Sequence, residues 1–207
     1  DLVAMLDNSP EPLWLAGHSV GATTSLAAAC QRPNKVKGLV LIEPVLFGRS
    51  VGLVLQAGRF LGLGEKLPMA AAASKRRAVF KSRDEAFNNY RRKSAFSSWG
   101  DDWLRAYVDH GLVDRPEGSV ELACAPHWES LSFQHTEPNP LRWLKPLACP
   151  IHILAGNKGS TFPAAFQAKV RKRLPAATIE VLEGATHFLP MEHSDLVVKR
   201  IREMAAR

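Results

Sequence analysis

One serine of this chain lies between two glycines, where an apolar run gives way to a run of small residues. The segment Gly17-His18-Ser19-Val20-Gly21 lies within PLWLAGHSVGATTSLAAAC, residues 12–30. A serine hydroxyl is a weak nucleophile near neutral pH, so catalysis requires a base for its proton and donors for an oxyanion. A sharp turn from strand to helix exposes such a serine, and flanking glycines leave room for the turn. The G-x-S-x-G pattern therefore predicts Ser19 as a nucleophile. The alternative is a tight turn with an incidental serine.

The elements around Ser19 alternate between buried strands and helices. Apolar runs predict strands at 12–18 and 37–44, and further strands are predicted at 149–156, after a proline, and at 177–184. Helices are predicted at 20–31, 162–174 and 193–206, the last with Ser194 as its cap. Apolar strands separated by helices are typical of a parallel sheet covered on both faces. The sequence therefore predicts the α/β class.

The segment from residue 45 to residue 146 interrupts this alternation. Its patterns favour helices, as in LGEKLPMAAAASKRRAVF, DEAFNNYRRKSAF and DDWLRAYVDHGL, and no buried strand is predicted in it. A stretch of this length is too long for an ordinary connection between two elements. We therefore predict a core made of 1–44 and 147–207, with a helical insertion at 45–146.

With its serine motif at a strand-to-helix junction, the chain resembles the α/β-hydrolase family over nearly its whole length. The resemblance implies an α/β-hydrolase fold, a mostly parallel sheet flanked by helices, with a helical cap in the insertion. LEGATHFLPMEH, residues 182–193, is similar to the family's loop that carries the catalytic histidine, which implies His187 as the base. The resemblance also implies the backbone N–H of Val20 as an oxyanion donor. The alternative for His187 is a hydrogen-bonded loop histidine, and His18 is predicted to point into the packing around the turn.

The acid of the catalytic triad is where the sequence departs from the family pattern. Most members carry Asp or Glu after the next-to-last strand, whereas this chain has Gly156-Asn157-Lys158-Gly159-Ser160 there. Glu43 ends the strand that follows the helix after the nucleophile. The carboxyl ends of neighbouring parallel strands face the same crevice, so Glu43 is within reach of that crevice. We predict that Glu43 accepts the N–H of His187 and orients its ring.

Two alternatives to this assignment of the acid stay open. The triad is incomplete, or Glu43 is a structural carboxylate held by a helix N-terminus or an arginine, since a carboxylate at the end of an apolar strand is costly unless it is paired. Glu183 and Glu192 are less suitable acids, because one ends a strand beside the histidine loop and the other begins the last helix.

The family's sheet has further strands before the nucleophile strand, whereas this sequence has almost nothing there. It begins within a helical stretch, DLVAMLD, and not with Met. We therefore expect a fragment in which the first strands are missing. The first oxyanion donor, which the family takes from that region, is then missing too, and the strand at 12–18 is an exposed sheet edge. We expect the printed chain by itself to fold poorly and to be nearly inactive.

The insertion carries aromatic residues that suit the inner wall of a lid. Trp99 and Trp103 are the predicted substrate-binding residues, with Phe96 and Phe133 as further candidates. An apolar lid favours a substrate with an acyl or aryl part and helps to exclude water. The alternative is that these side chains form the insertion's own small core.

Composition limits the other possible functions of the chain. The formal net charge is +7, concentrated between Lys75 and Lys93, and we interpret that stretch as a solvated helix face and not as a nucleic-acid site. Three dispersed cysteines, Cys30, Cys124 and Cys149, lack metal-ligand spacing and predict free thiols in a reducing cytoplasm. No apolar run is long enough to span a membrane. No metal or cofactor is implied, and the sequence does not indicate an oligomeric state.

Together these observations predict a serine hydrolase that works through an acyl-enzyme. The expected substrate is a small apolar carboxylic ester, thioester or lactone. One rival hypothesis is a non-catalytic binding protein for small molecules that keeps the fold and has lost the reaction. A second is a basic interaction module that uses residues 75–93.

Overall fold

Seven strands and ten α-helices make up the chain in a computed structural model that describes residues 1–206. In chain order the strands are β1 Leu13–His18, β2 Val36–Ile42, β3 Val79–Phe80, β4 Leu112–Asp114, β5 Val120–Leu122, β6 Ile151–Gly156 and β7 Thr178–Leu182. The helices are α1 Leu2–Asn8, α2 Val20–Gln31, α3 Arg49–Phe60, α4 Pro68–Ser74, α5 Arg83–Arg91, α6 Asp101–Gly111, α7 Pro126–Gln134, α8 Ala164–Arg173, α9 Leu189–Glu192 and α10 Ser194–Ala205.

The chain divides into two units. The first consists of residues 1–48 together with the described residues from 139 onward, and the second of residues 49–138. The boundaries predicted from the sequence fall at 44/45 and 146/147. The role of the second unit as a cap stays a prediction.

A parallel four-stranded sheet, in the order β1-β2-β6-β7, forms the centre of the first unit. Leu39 and Leu41 of β2 face a cluster that includes Leu26 of α2 and Val170 of α8. The alternate residues of β2, such as Val40, lie in a second cluster with residues of α9 and α10. Because both faces of β2 are covered, its residues from Leu39 to Ile42 are all apolar and buried. The predicted α/β fold is confirmed.

A small antiparallel sheet, in the order β3-β5-β4, accompanies α3–α7 in the second unit. Phe80, Val120 and Leu122 of this sheet are buried against side chains of α5 and α6. The prediction that 45–146 contains no buried strand is therefore wrong. Strands of two or three residues are too short to show a two-residue period in a sequence.

Trp99 belongs to an aromatic cluster inside the second unit. Its ring lies 5.0 Å from that of Phe96 and 5.9 Å from that of Tyr107, and only 7% of its surface is exposed. Trp103 is 43% exposed. Their predicted part in substrate binding remains a prediction.

Three smaller findings complete the description. The N-cap of α10 is His193 and Ser194 is the first helical residue, so the predicted cap at Ser194 is wrong. All three cysteines are free thiols. Across residues 1–206 there is no helix long and apolar enough to cross a membrane, and no group of three or more His, Cys, Asp or Glu that could hold a metal ion.

Candidate active site

Ser19 stands at the sharp turn between β1 and α2. Its backbone has φ 57° and ψ −123°, a conformation that is unfavourable for a residue with a Cβ atom. The turn is fixed at both ends, because the Ser19 N–H donates to the carbonyl of Ile42 at 2.9 Å and the Ser19 carbonyl accepts from Ala22 at 3.1 Å. Several hydrogen bonds thus hold a strained residue in place, as at many catalytic serines.

The two glycines of the motif have different surroundings. A Cβ atom added to Gly17 would lie 2.5 Å from the carbonyl carbon and oxygen of Gly21, so α2 packs against the end of β1 too closely for any side chain there. A Cβ atom added to Gly21 meets no atom of the described chain within 4 Å. Within the described residues, the neighbouring atoms leave no room for a side chain at position 17, whereas they leave room for one at position 21.

His187 lies in the loop between β7 and α9, and its Nε2 is 3.0 Å from Ser19 Oγ. Glu192 braces this loop by accepting bonds from the N–H and the hydroxyl of Thr186, at 2.7 and 2.6 Å. The Ala185 carbonyl accepts from the N–H of Lys158 at 3.0 Å. The loop therefore presents the imidazole nitrogen to the serine at hydrogen-bonding distance.

Glu43 follows β2 directly and is fully buried, with 0% of its surface exposed. Its Oε2 lies 3.4 Å from His187 Nδ1, on the opposite side of the imidazole from Ser19. Glu43 and Ser19 occupy equivalent places at the ends of neighbouring strands, since the Glu43 N–H donates to Leu154 at 2.8 Å as the Ser19 N–H donates to Ile42. Glu43 also has a positive φ, of 47°.

Donors from the end of β6 and from the loop after it surround the Glu43 carboxylate. Oε1 accepts from the Gly156 N–H at 2.6 Å, and the Ser160 hydroxyl lies 2.8 and 2.9 Å from the two oxygens. Oε2 accepts from the Thr161 N–H at 2.9 Å. Burial alone would raise the pKa of Glu43, but the hydrogen bonds from His187 and from this loop outweigh it, and the pKa lies below its ordinary value. The carboxylate is therefore ionised near neutral pH.

His18 takes part in the site in a way that the sequence did not indicate. Its Nε2 lies 2.7 Å from the backbone carbonyl oxygen of His187, and the two rings are 4.8 Å apart. Burial lowers the pKa of His18 below its ordinary value, although the hydrogen bond to the His187 carbonyl and the charge of Glu43 act in the opposite direction. A neutral His18 that carries its proton on Nε2 donates to that carbonyl and ties the histidine loop to the end of β1.

The other carboxylates considered from the sequence brace loops. Glu183 accepts from the side-chain amide of Asn157 at 2.7 Å, and that side chain accepts in turn from the N–H of Gly184 at 2.8 Å. Asn157 stands in the stretch where most of the resembled family carries the acid. Here it fastens the loop after β6 to the histidine loop.

The structure thus brings Ser19, His187 and Glu43 together, with Val20 as the first residue of α2 beside them. Ser160 and Thr161 were not predicted from the sequence as partners of Glu43. A signal was present nonetheless: two hydroxyl residues stand next to each other in the stretch that lacks the usual acid, and hydroxyls are donors that a displaced carboxylate requires.

Comparison with known proteins identifies the family and the fold. The profile described as the Alpha/beta hydrolase family matches residues 1–200. Among curated proteins, a monoglyceride lipase homolog of monkeypox virus is 40% identical over 52 residues, which is 25% of this chain and 19% of that protein. The aligned part is thus about a fifth of the curated relative.

Solved structures with similar folds span the whole chain. E-2-(acetamidomethylene)succinate hydrolase has a TM-score of 0.71 at 19% identity, covering 100% of this chain and 70% of its own. A peroxisomal alpha-beta-hydrolase of Saccharomyces cerevisiae has a TM-score of 0.71 at 23% identity, covering 95% and 54%. An esterase of Mycobacterium tuberculosis has a TM-score of 0.67 at 16% identity, covering 100% and 67%. These likenesses establish the fold, and the profile match establishes the family: the chain belongs to the alpha/beta hydrolase family.

Proposed function

We propose that the protein is a serine hydrolase that cleaves a carboxylic ester, thioester or lactone of a small apolar substrate through an acyl-enzyme. The observation that carries the proposal is the contact between Ser19 Oγ and His187 Nε2, 3.0 Å long, at a strained strand-to-helix turn. The relatives include proteins named as an esterase, a thioesterase domain and a lipase homolog, which favours ester-like bonds.

In the first half of the reaction, Ser19 Oγ bonds to the carbonyl carbon of the substrate as its proton moves to His187 Nε2. The carbonyl oxygen becomes an oxyanion. The N–H of Val20, in the first turn of α2, has no acceptor within the helix and suits this oxygen. His187 then gives the proton to the leaving alcohol or thiol as the carbon–oxygen or carbon–sulfur bond breaks.

In the second half, water attacks the acyl carbon and passes a proton to His187 Nε2. The bond from that carbon to Ser19 Oγ then breaks, the serine regains its proton from the histidine, and a carboxylic acid leaves. In both halves His187 is transiently an imidazolium. Glu43, ionised and buried behind the ring, stabilises that charge and fixes the proton on Nδ1.

The contact of Glu43 with His187 bears on the rival hypothesis of a non-catalytic binding protein. A fold that had lost the reaction has no need for a fully buried carboxylate, which is costly to keep without partners. Here Glu43 makes its bonds with His187 and the loop after β6. The arrangement supports the catalytic hypothesis.

The rival hypothesis of a basic interaction module at residues 75–93 receives less support than the hydrolase hypothesis. Arginines within residues 75–93 pair with carboxylates of the same unit: Arg76 with Glu129, Arg77 with Glu85, Arg83 with Asp114 and Arg91 with Asp101. Arginines engaged in this way have less charge to offer to a phosphate backbone.

Labelling of the full-length protein with a fluorophosphonate probe tests the proposal. The probe bonds to an activated serine oxygen and expels fluoride, so we expect the wild type to label and Ser19→Ala not to label. Ser97→Ala, which removes an exposed hydroxyl of the second unit, is the matched control and should label at the wild-type rate. A folded wild type that does not label would overturn the proposal in favour of the binding protein.

A further inference from the structure

The hydroxyl of Thr161 lies between the proposed acid and the proposed base. Thr161 Oγ1 is 3.1 Å from His187 Nδ1, 3.0 Å from the backbone carbonyl oxygen of Glu43 and 3.3 Å from Glu43 Oε2. The direct contact between Glu43 Oε2 and His187 Nδ1 is longer, at 3.4 Å. The nearer partner of Nδ1 is therefore the hydroxyl.

The donors and acceptors around Thr161 Oγ1 determine which of its hydrogen bonds the hydroxyl donates and which it accepts. A threonine hydroxyl has one proton to donate and two lone pairs that accept. Both Glu43 oxygens near it can only accept, because one is a backbone carbonyl and the other belongs to an ionised carboxylate. The Thr161 proton therefore points to Glu43, and a lone pair points to His187.

We propose that Thr161 is a positioning residue whose hydroxyl accepts the Nδ1–H of His187 while donating its own proton to Glu43. Glu43 then acts on the imidazole through this hydroxyl as well as directly. The inference rests on the proposed serine-hydrolase function, since the arrangement matters for catalysis only if His187 is the base.

The bond directions select the tautomer that catalysis needs. With its proton on Nδ1, His187 presents a free lone pair at Nε2, the atom that lies 3.0 Å from Ser19 Oγ. If Thr161 donated to Nδ1 instead, the proton would sit on Nε2 and the ring could not accept from the serine. The buried negative charge of Glu43 prevents this by attracting the hydroxyl proton.

The same bonds strengthen when the imidazolium forms. A hydroxyl that donates to a carboxylate is a better acceptor, because consecutive hydrogen bonds polarise one another. Thr161 is also held by its backbone, whose N–H donates to Glu43 Oε2 at 2.9 Å, so its hydroxyl does not have to move during the reaction. We assign it no contact with substrate, so its effect should fall on kcat and not on KM.

Nuclear magnetic resonance of the full-length protein, with ¹⁵N-labelled histidine, tests the bond directions without any substrate. The His187 signals are identified by their loss in His187→Gln. We expect neutral His187 to carry its proton on Nδ1, with a downfield Hδ1 resonance that moves upfield in Thr161→Val and stays in Thr161→Ser. Ser160→Ala, which removes a hydroxyl that contacts Glu43, should lower stability and leave the Hδ1 resonance in place.

Hydrolysis of p-nitrophenyl butyrate tests the consequence for catalysis. Thr161→Val should lower kcat about 10- to 100-fold, the usual loss for one hydrogen bond to a charged group, with KM unchanged. Because the imidazolium is less stabilised in this variant, the acid limb of kcat/KM against pH should move to lower pH. Thr161→Ser, which keeps the hydroxyl, should restore both.

The possible failures can be told apart. Wild-type kcat and an unmoved Hδ1 resonance in a folded Thr161→Val would overturn the inference and leave the serine hydrolase intact. A proton on Nε2 of neutral wild-type His187 would overturn it as well. A wild type that neither hydrolyses nor labels would refute the proposed function, while the resonance would still decide where the Nδ1 proton points.

Discussion

Replacement of Glu43 by glutamine removes one negative charge from behind His187 and keeps the shape of the side chain. At 3.4 Å and an effective dielectric constant of about 20, a carboxylate stabilises an imidazolium by about 5 kcal/mol. At about 1.4 kcal/mol per factor of ten, its loss should lower kcat about 10³- to 10⁴-fold. We expect this loss in the hydrolysis of p-nitrophenyl butyrate by the full-length protein, with a parallel loss in the rate of fluorophosphonate labelling.

The same substitution should also destabilise the fold. The carboxylate accepts from Gly156, Ser160 and Thr161, and a glutamine amide would turn its NH₂ group toward at least one of these donors. A buried donor left without an acceptor costs about 1–3 kcal/mol. The kinetics are therefore measured at a temperature where the variant is shown to be folded by circular dichroism.

The pH dependence of stability gives an independent check on Glu43. Its pKa is lowered in the folded state, so its contribution is present above the ordinary value of 4.5 and is lost as the pH falls through the folded pKa. The free energy of unfolding of the wild type should therefore fall more steeply below that pH than that of Glu43→Gln. The free energies are measured by urea denaturation at a series of pH values. If they fell equally steeply with falling pH in both proteins, the lowered pKa of Glu43 would be contradicted.

Glu183→Gln is the matched control for activity, because it alters a nearby exposed carboxylate that bonds to Asn157. It should keep the wild-type kcat. The assignment of the acid would be refuted if folded Glu43→Gln stayed within tenfold of the wild type, as Glu183→Gln is expected to do.

Substitutions at four further positions test the geometry of the turn and of the histidine loop. Gly17→Ala should destabilise the protein by about 1–3 kcal/mol through overpacking, whereas Gly21→Ala should be neutral or stabilising by up to about 1 kcal/mol; thermal unfolding that ranks them the other way would contradict the close contact. Ser19→Gly should be about 1 kcal/mol more stable than Ser19→Ala, because both lose the hydroxyl and only the first loses the Cβ atom that the positive φ disfavours; equal melting temperatures would argue against strain. His18→Leu leaves the His187 carbonyl without its donor and should cost about 1–3 kcal/mol, whereas His18→Gln keeps a donor. Because burial lowers the pKa of His18, wild-type stability should fall as the pH drops through its ordinary value of 6.5, and urea denaturation of His18→Gln should lack that fall.

The strands and helices that position the site could be predicted from the sequence. The strands β1, β2 and β6 are mostly apolar because helices cover both faces of the sheet, and that pattern is visible without a structure. The assignment of Glu43 came from topology, since the ends of neighbouring parallel strands share one crevice. Its distance to His187 is what the structure adds.

The contacts that hold the site could not be predicted in the same way. Thr161 and Glu43 are 118 residues apart in sequence, and His18 and His187 are 169 apart. Periodicity reports which face of an element is buried, and it carries no information on the path of a loop. The short strands of the second unit were missed for a related reason, since two or three residues do not define a period.

The placement of Glu43 has a consequence for how such sites change over evolutionary time. Glu43 follows β2, yet the end of β6 and the loop after it supply its donors, and that loop is where most of the resembled family carries the acid itself. What the site fixes is therefore the position of a negative charge behind the imidazole and not the strand from which it comes. A lineage that carried carboxylates at both strand ends can lose either one by mutation and keep its activity. Under the proposed function, the acid is therefore the residue of the site whose strand of origin can differ between relatives.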